Sequence, residues 1–168
     1  ALRRALRSGE IEAWGQPVYD LASGRVVWVE LLARWEPTPG SFVPPSVFVP
    51  LAEEIGVVAD LDRWMLGHAA TALARWQAHP VLSTADVAVN VSALHLARGQ
   101  LDREVSELVA CRDLRPERLI IEMAGTPIVI CSAAETRVRT SDSCSIEGRW
   151  KSKRWQRSAI VGITLWAS

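Results

Sequence analysis

Residues 25–32 read RVVWVELL, with β-branched and aromatic side chains on both parities, a Ser23-Gly24 turn signal before them and Pro37 and Pro39 after. That pattern predicts a strand buried on both faces. Further along, residues 60–77 open with Asp60, a residue type that caps helices, and place Leu61, Met65, Ala69, Ala72, Leu73 and Trp76 at three-to-four spacing. They predict an amphipathic helix. Residues 87–91 (VAVNV) and 119–123 (LIIEM) read as two more short strands, and Leu101, Val105, Leu108 and Val109 give the segment between them a helical apolar stripe. Strands and helices alternating at these lengths specify βαβ units: an α/β fold with a parallel sheet, helices outside it and right-handed crossovers.

The chain has 168 residues, 19 basic and 19 acidic side chains and a formal net charge of +0. It is one domain of ordinary size. With no whole-protein field, nucleic-acid binding by bulk charge is excluded and any anionic ligand must be held locally. No apolar run approaches the ~18 residues of a membrane helix, and the Arg-containing start leads into no apolar signal core. A cytoplasmic location is expected, in a chain cut from something longer. Cys111, Cys131 and Cys144 form no CxxC pair and leave one over, which fits a reducing compartment.

The averages conceal a break near Gly125. Residues 1–125 contain no lysine and set twelve arginines against sixteen acids, whereas residues 126–168 set both lysines and five arginines against three acids. Seven of the fourteen serines fall in the second stretch, and the periodicity of the first stops there. A natural linker and a tail read out of frame would both look like this. Residues 1–125 are therefore expected to form the ordered part, and 126–168 a divergent tail. The apolar runs 126–131 and 159–166 are the segments of that tail able to pair with an open sheet edge as strands.

Parity within the strands locates the chemistry. Glu30 shares a face with Leu32 and Arg34, Asn90 shares one with Ala88, and Glu122 shares one with Ile120. Each strand thus carries a polar group on an otherwise apolar element. An unpaired buried carboxylate is costly, so these groups either meet a cation or each other, or mark strand ends wet by solvent. Glu, Asn and Glu are hard oxygen ligands, suited to Mg²⁺, Mn²⁺ or Ca²⁺ rather than zinc. His68, His79 and His95 stand isolated and read as structural or exposed. Cys111 reads as an inert thiol.

Several ordered blocks resemble the start of EAL domains: Gln16-Pro17, Tyr19-Asp20, Gly24-Arg25-Val26-Val27, Val29-Glu30-Leu31-Leu32-Ala33-Arg34-Trp35, the stretch from Val43-Pro44-Pro45 to Gly56, Asn90-Val91-Ser92, and Glu117-Arg118-Leu119-Ile120-Ile121-Glu122. EAL domains are bacterial phosphodiesterases that hydrolyse cyclic di-GMP to pGpG on a TIM-like barrel, with divalent metal at the C-terminal ends of the strands. The resemblance covers about residues 1–125 and implies that Glu30, Asn90 and Glu122 are metal ligands for Mg²⁺ or Mn²⁺. It further implies that Arg34 faces a substrate phosphate and that Gln16 lies near the nucleotide.

The departures matter as much. Glu30-Leu31-Leu32 stands where the family has Glu-Ala-Leu, which keeps the carboxylate. Gly125 replaces the second Glu of Glu-x-Thr-Glu, which steadies a loop over the site. The later Asp-Asp pair, lysine and glutamate of the family cannot be placed in residues 126–168, where Asp142, Glu147, Lys151 and Lys153 read as solvated tail residues, the lysines beside Trp150 and Trp155. A two-metal displacement requires those ligands, so no catalytic residue is assigned and hydrolysis is expected to be lost. A full barrel needs about 250 residues. The expected fold is therefore an incomplete TIM-like (β/α) barrel of the EAL type, of marginal stability, whose open edges favour dimerisation, misfolding or a tail folded back. Affinity for cyclic di-GMP is expected to be weak or lost. The remaining alternatives are a regulatory module beside fused signalling domains in a longer parent and a non-functional truncated product.

Overall fold

The computed structural model describes residues 1–123 and 126–129. The three apolar runs pair side by side as the parallel heart of the sheet: β2 (Val26–Thr38), β4 (Asp86–Asn90) and β5 (Leu119–Met123). The crossover from β2 to β4 carries two helices, α2 (Pro45–Glu54) and α3 (Val58–Trp76). The crossover from β4 to β5 carries α4 (Ala93–Ala97) and α5 (Leu101–Cys111). Short α1 (Leu2–Ser8) precedes the sheet.

The sheet is mixed rather than parallel throughout, which corrects the expectation from strand and helix alternation. β1 (Ile11–Tyr19) runs antiparallel to β2, the short β3 (Ser41–Val43) adds antiparallel to the far end of β2, and β6 (Thr126–Val129) adds antiparallel to β5. The order is β1-β2-β4-β5-β6, with β3 paired to β2 off this path. Thus the run beginning at Thr126 does pair with the edge of β5. The rest of the tail, including Cys131, Cys144 and the tryptophan-rich segment, lies outside the described residues.

β2 also runs past its expected end, through Pro37, because pairing with Ile11 and with Val43 holds Trp35 in the sheet. Nor is β2 buried on both faces. Val29, Leu31 and Trp35 are buried, while Trp28, Glu30, Leu32 and Arg34 on the opposite parity remain half-buried. The buried parity packs under the helices: Val29, Leu31, Val87, Val89, Leu119 and Ile121 meet Leu66, Ala70 and Leu73 of α3 and Val105 and Val109 of α5. A second cluster joins Phe48 and Ala52 of α2 to Trp35, Val58 and Leu61. On the inner face Ala88 and Ile120 form a small buried cluster with Trp28 packed against it.

Helix α3 begins at Val58, after Val57, so Asp60 lies in its first turn and does not cap it. An acid there still favours the helix through the N-terminal dipole. Phe48 and Ala52, one turn apart and both fully buried, explain why α2 is a helix despite Pro50. Pro45 at its first turn costs no hydrogen bond. Among the described residues no helix is long and apolar enough to cross a membrane.

Candidate functional site

Residues paired across a sheet share a face, so register determines which polar groups meet. Gln16 of β1 lies opposite Glu30 of β2, Glu30 opposite Ala88 of β4, and Asn90 opposite Glu122 of β5. The inner face therefore collects Gln16, Glu30, Asn90 and Glu122 from four neighbouring strands. Asn90 Nδ2 donates to Glu30 Oε1 at 2.8 Å. Donation through Nδ2 leaves Oδ1 of the same amide as the atom a cation would take.

Burial raises the Glu122 carboxyl above its ordinary 4.5, and the charge of Glu30 raises it further. The two carboxylates thus repel across the space beside Asn90. Two carboxylates and an amide oxygen form a hard donor set, and mutual repulsion of the acids is the condition that a divalent cation relieves. Among the described residues no three His, Cys, Asp or Glu side chains are placed to hold a metal ion by themselves, so the amide of Asn90 is what makes a third donor.

Arg34 follows Glu30 on the same face of β2 and lies opposite Glu12. Its guanidinium donates from Nη1 to its neighbour's carbonyl, Ala33 O, at 3.1 Å and stands 5.8 Å from the ring centre of Trp14. Trp14 is steadied in turn by Nε1 donating to Glu12 Oε2 at 2.9 Å and by an edge contact with Phe42. A cation held over an indole keeps most of its N–H donors for another partner.

Beside these groups a cavity of about 1080 Å³ opens over the C-terminal ends of β2 and β4, between α2, α3 and α4. Leu32, Val49, Leu61, Met65, Leu96 and Met123 give it apolar walls, and Arg34, Asp62, Asn90 and Ser92 place polar groups on it. An apolar cleft with a few convergent polar groups at the C-terminal end of parallel strands is the usual form of a ligand site in α/β folds. All five residues singled out from the sequence, Gln16, Glu30, Arg34, Asn90 and Glu122, lie on the inner face of the sheet, and Arg34 and Asn90 of them line the cavity.

Sequence reasoning missed a second layer. Asp62 is buried on α3 with its carboxyl raised by burial, and its Oδ2 accepts from both the amide and the hydroxyl of Ser92. His95, read as isolated, is fully buried and lies between Asp62 and Glu104. The available signal was an acid within the apolar stripe Leu61, Met65, Leu66 and a helix-capping Ser directly after a strand. His79 serves locally, with Nδ1 accepting from the Val81 and Leu82 amides.

A family model described as EAL domain matches residues 1–146. The chain is 34% identical over 123 residues to the oxygen sensor protein DosP of Escherichia coli (strain K12), covering 73% of this chain and 15% of that protein. It is 34% identical over 114 residues to the cyclic di-GMP phosphodiesterase PA2567 of Pseudomonas aeruginosa, covering 68% and 19%. Among solved structures it matches the PaMucR phosphodiesterase in complex with c-di-GMP with a TM-score of 0.65 and 31% identity, over 71% of this chain and 48% of that one. It matches the FimX EAL domain from Pseudomonas aeruginosa bound to c-di-GMP with a TM-score of 0.62 and 27% identity, over 73% and 48%. The chain thus spans under a fifth of the length of these two curated relatives and about half of the solved chains.

Proposed function

Because the chain belongs to the EAL domain family, we propose that it is a cyclic di-GMP module of phosphodiesterase ancestry that holds the dinucleotide weakly with the help of a divalent cation and does not hydrolyse it. The observation that carries this reading is the convergence of Glu30, Asn90 and Glu122, with Asn90 bonded to Glu30 at 2.8 Å and Glu122 raised by burial and by the charge of Glu30. Glu30, Glu122 and the amide oxygen of Asn90 would hold Mg²⁺ or Mn²⁺. When bound, such an ion polarises a phosphoryl oxygen and lowers the pKa of a bound water.

Arg34 offers a planar, permanently charged fork to a phosphate at the mouth of the cleft, and Trp14 beneath it restricts where that fork points. Gln16, opposite Glu30, reaches toward the same nucleotide. The apolar walls receive the bases and exclude water, which strengthens the charged contacts. Turnover by an in-line displacement requires a second set of carboxylates across the phosphate, and residues 126–168 supply no Asp-Asp pair in their sequence.

Two measurements on the full chain test the reading. Calorimetry with cyclic di-GMP and Mn²⁺ should give binding heat that Arg34→Ala and chelation of the metal each remove. Silence up to millimolar ligand, which corresponds to about −4.1 kcal/mol, refutes binding. Release of pGpG at a rate abolished by Glu30→Ala refutes the non-hydrolytic half of the proposal.

A further inference from the structure

The turn that carries Asn90 is fastened from behind by side chains of two other helices. Asp62 Oδ2, on α3, accepts from the Ser92 hydroxyl at 2.7 Å and from the Ser92 amide at 2.9 Å. Ser92 Oγ accepts in turn from the His95 amide at 3.1 Å, capping α4. The His95 imidazole is completely buried. Its Nε2 lies 2.9 Å from Glu104 Oε2 on α5, and its Nδ1 stands 3.4 Å from Asp62 Oδ2, outside hydrogen-bonding geometry. Glu104 is held on its other oxygen by Arg63 at 3.1 Å, and Arg63 also meets Asp60 at 2.8 Å.

A single imidazole therefore stands between a carboxylate of α3 and a carboxylate of α5, directly behind the stretch from Asn90 to Ala93 that walls the cleft. An apolar side chain would fill the same volume without the desolvation cost of a buried imidazole and acid. Only a polar group gives direction here: the contact of Nε2 with Glu104 sets the ring so that Nδ1 faces Asp62 Oδ2, and Asp62 holds Ser92, two residues beyond Asn90. We infer that His95 is a positioning residue of the cleft: acting through Asp62 and Ser92, it fixes the turn after β4 and with it the direction in which Asn90 offers its amide oxygen to a divalent cation. The inference rests on the reading of the cleft as a metal-assisted nucleotide site.

The test uses the full chain and Mn²⁺ alone as the probe, counting free ion by electron paramagnetic resonance at a temperature where circular dichroism shows every variant folded. His95→Ala should weaken Mn²⁺ binding by about 10- to 100-fold, the usual effect of removing support behind a ligand. His95→Gln, whose amide still donates to Glu104, should recover most of the loss. In an Asn90→Ala background the His95→Ala change should have no further effect, a non-additivity that a merely structural role would not produce. Mn²⁺ binding equal to wild type in His95→Ala overturns the inference.

If the wild-type chain binds no Mn²⁺, the metal reading of the cleft fails, and the inference is then decided by the side-chain amide of Asn90 in NMR. Protection of its Nδ2 protons that is lost in His95→Ala and kept in His95→Gln sustains the positioning role, and identical protection in all three overturns it. Should His95→Ala not fold, Glu104→Gln, which keeps the imidazole and removes the charge of its partner, carries the same comparisons.

Discussion

Glu122→Gln removes the buried, repelled charge that makes the inner face ready for a cation. The carboxyl is half-buried at the end of β5, and its affinity for a proton is raised from 4.5 first by desolvation and then by the charge of Glu30. An acid whose folded pKa lies above its unfolded value contributes stability that is fully present below pH 4.5 and is lost as pH rises through the folded pKa. Across that window the folded chain holds a proton that the unfolded chain has released. One proton sets the ceiling, at about 1.4 kcal/mol of stability lost per pH unit, and partial exposure keeps the observed slope below it. The amide of Gln has nearly the same shape and no charge, so Glu122→Gln should lack this slope and be the more stable protein at neutral pH. Burial raises the carboxyl of Asp62 as well, but that contribution is common to both proteins and cancels in the difference. Urea unfolding from about pH 4 to pH 8 gives the two slopes directly. Saturating Mn²⁺ should flatten the wild-type curve and leave the variant unchanged. Parallel curves for the two metal-free proteins, or a variant less stable than wild type at neutral pH, would refute the claim that burial and the charge of Glu30 raise the Glu122 carboxyl.

Gly15→Ala tests how tightly β1 lies against β2: a Cβ there would meet Val29 Cγ1 at 3.0 Å, and because Val29 is a buried, β-branched neighbour the variant should lose about 1 kcal/mol or more, read as a lower urea midpoint. The composition break near Gly125 predicts that limited proteolysis of the full chain cuts first within residues 136–153 and leaves a fragment ending near residue 130; a tail as resistant as α3 would show that the extension is a built part of the fold.

The parallel strands were legible because each is a short apolar run between turn signals, and periodicity there has little competition. β1 was not, since Glu12, Gly15 and Pro17 interrupt its alternation and only pairing along β2 makes it a strand. The end of β2 was equally hidden: Pro37 and Pro39 read as a stop, yet two antiparallel partners carry the strand to Thr38. For the site, parity alone set Glu30, Asn90 and Glu122 each on one face of its strand, but it could not say that the three faces coincide, that Asn90 would lie opposite Glu122 or that it would bond to Glu30, because register depends on the packing of whole elements. His95 read as isolated for the same reason. Its partners come from α3 and α5, and nothing in the residues flanking it announces them.

The hairpin partner of β5 bears on the chemistry as well as the fold. β6 pairs antiparallel along β5 from Met123 opposite Thr126 to Ile120 opposite Val129, which occupies the edge a further parallel strand would need. Each backbone donor and acceptor serves one ladder at a time, so this pairing and a parallel neighbour bearing a second carboxylate cluster exclude each other. Glu30 and Asn90 lie on strands that β6 does not touch, Glu122 lies opposite Pro127 of β6, and the cavity beside Asn90 is walled by α2, α3 and α4 rather than by strands beyond β5. On the proposed reading, holding a cation and a phosphate would draw on elements within residues 1–123, whereas a two-metal displacement would need an edge that β6 fills. On that reading binding and turnover part at the edge of β5 that β6 covers.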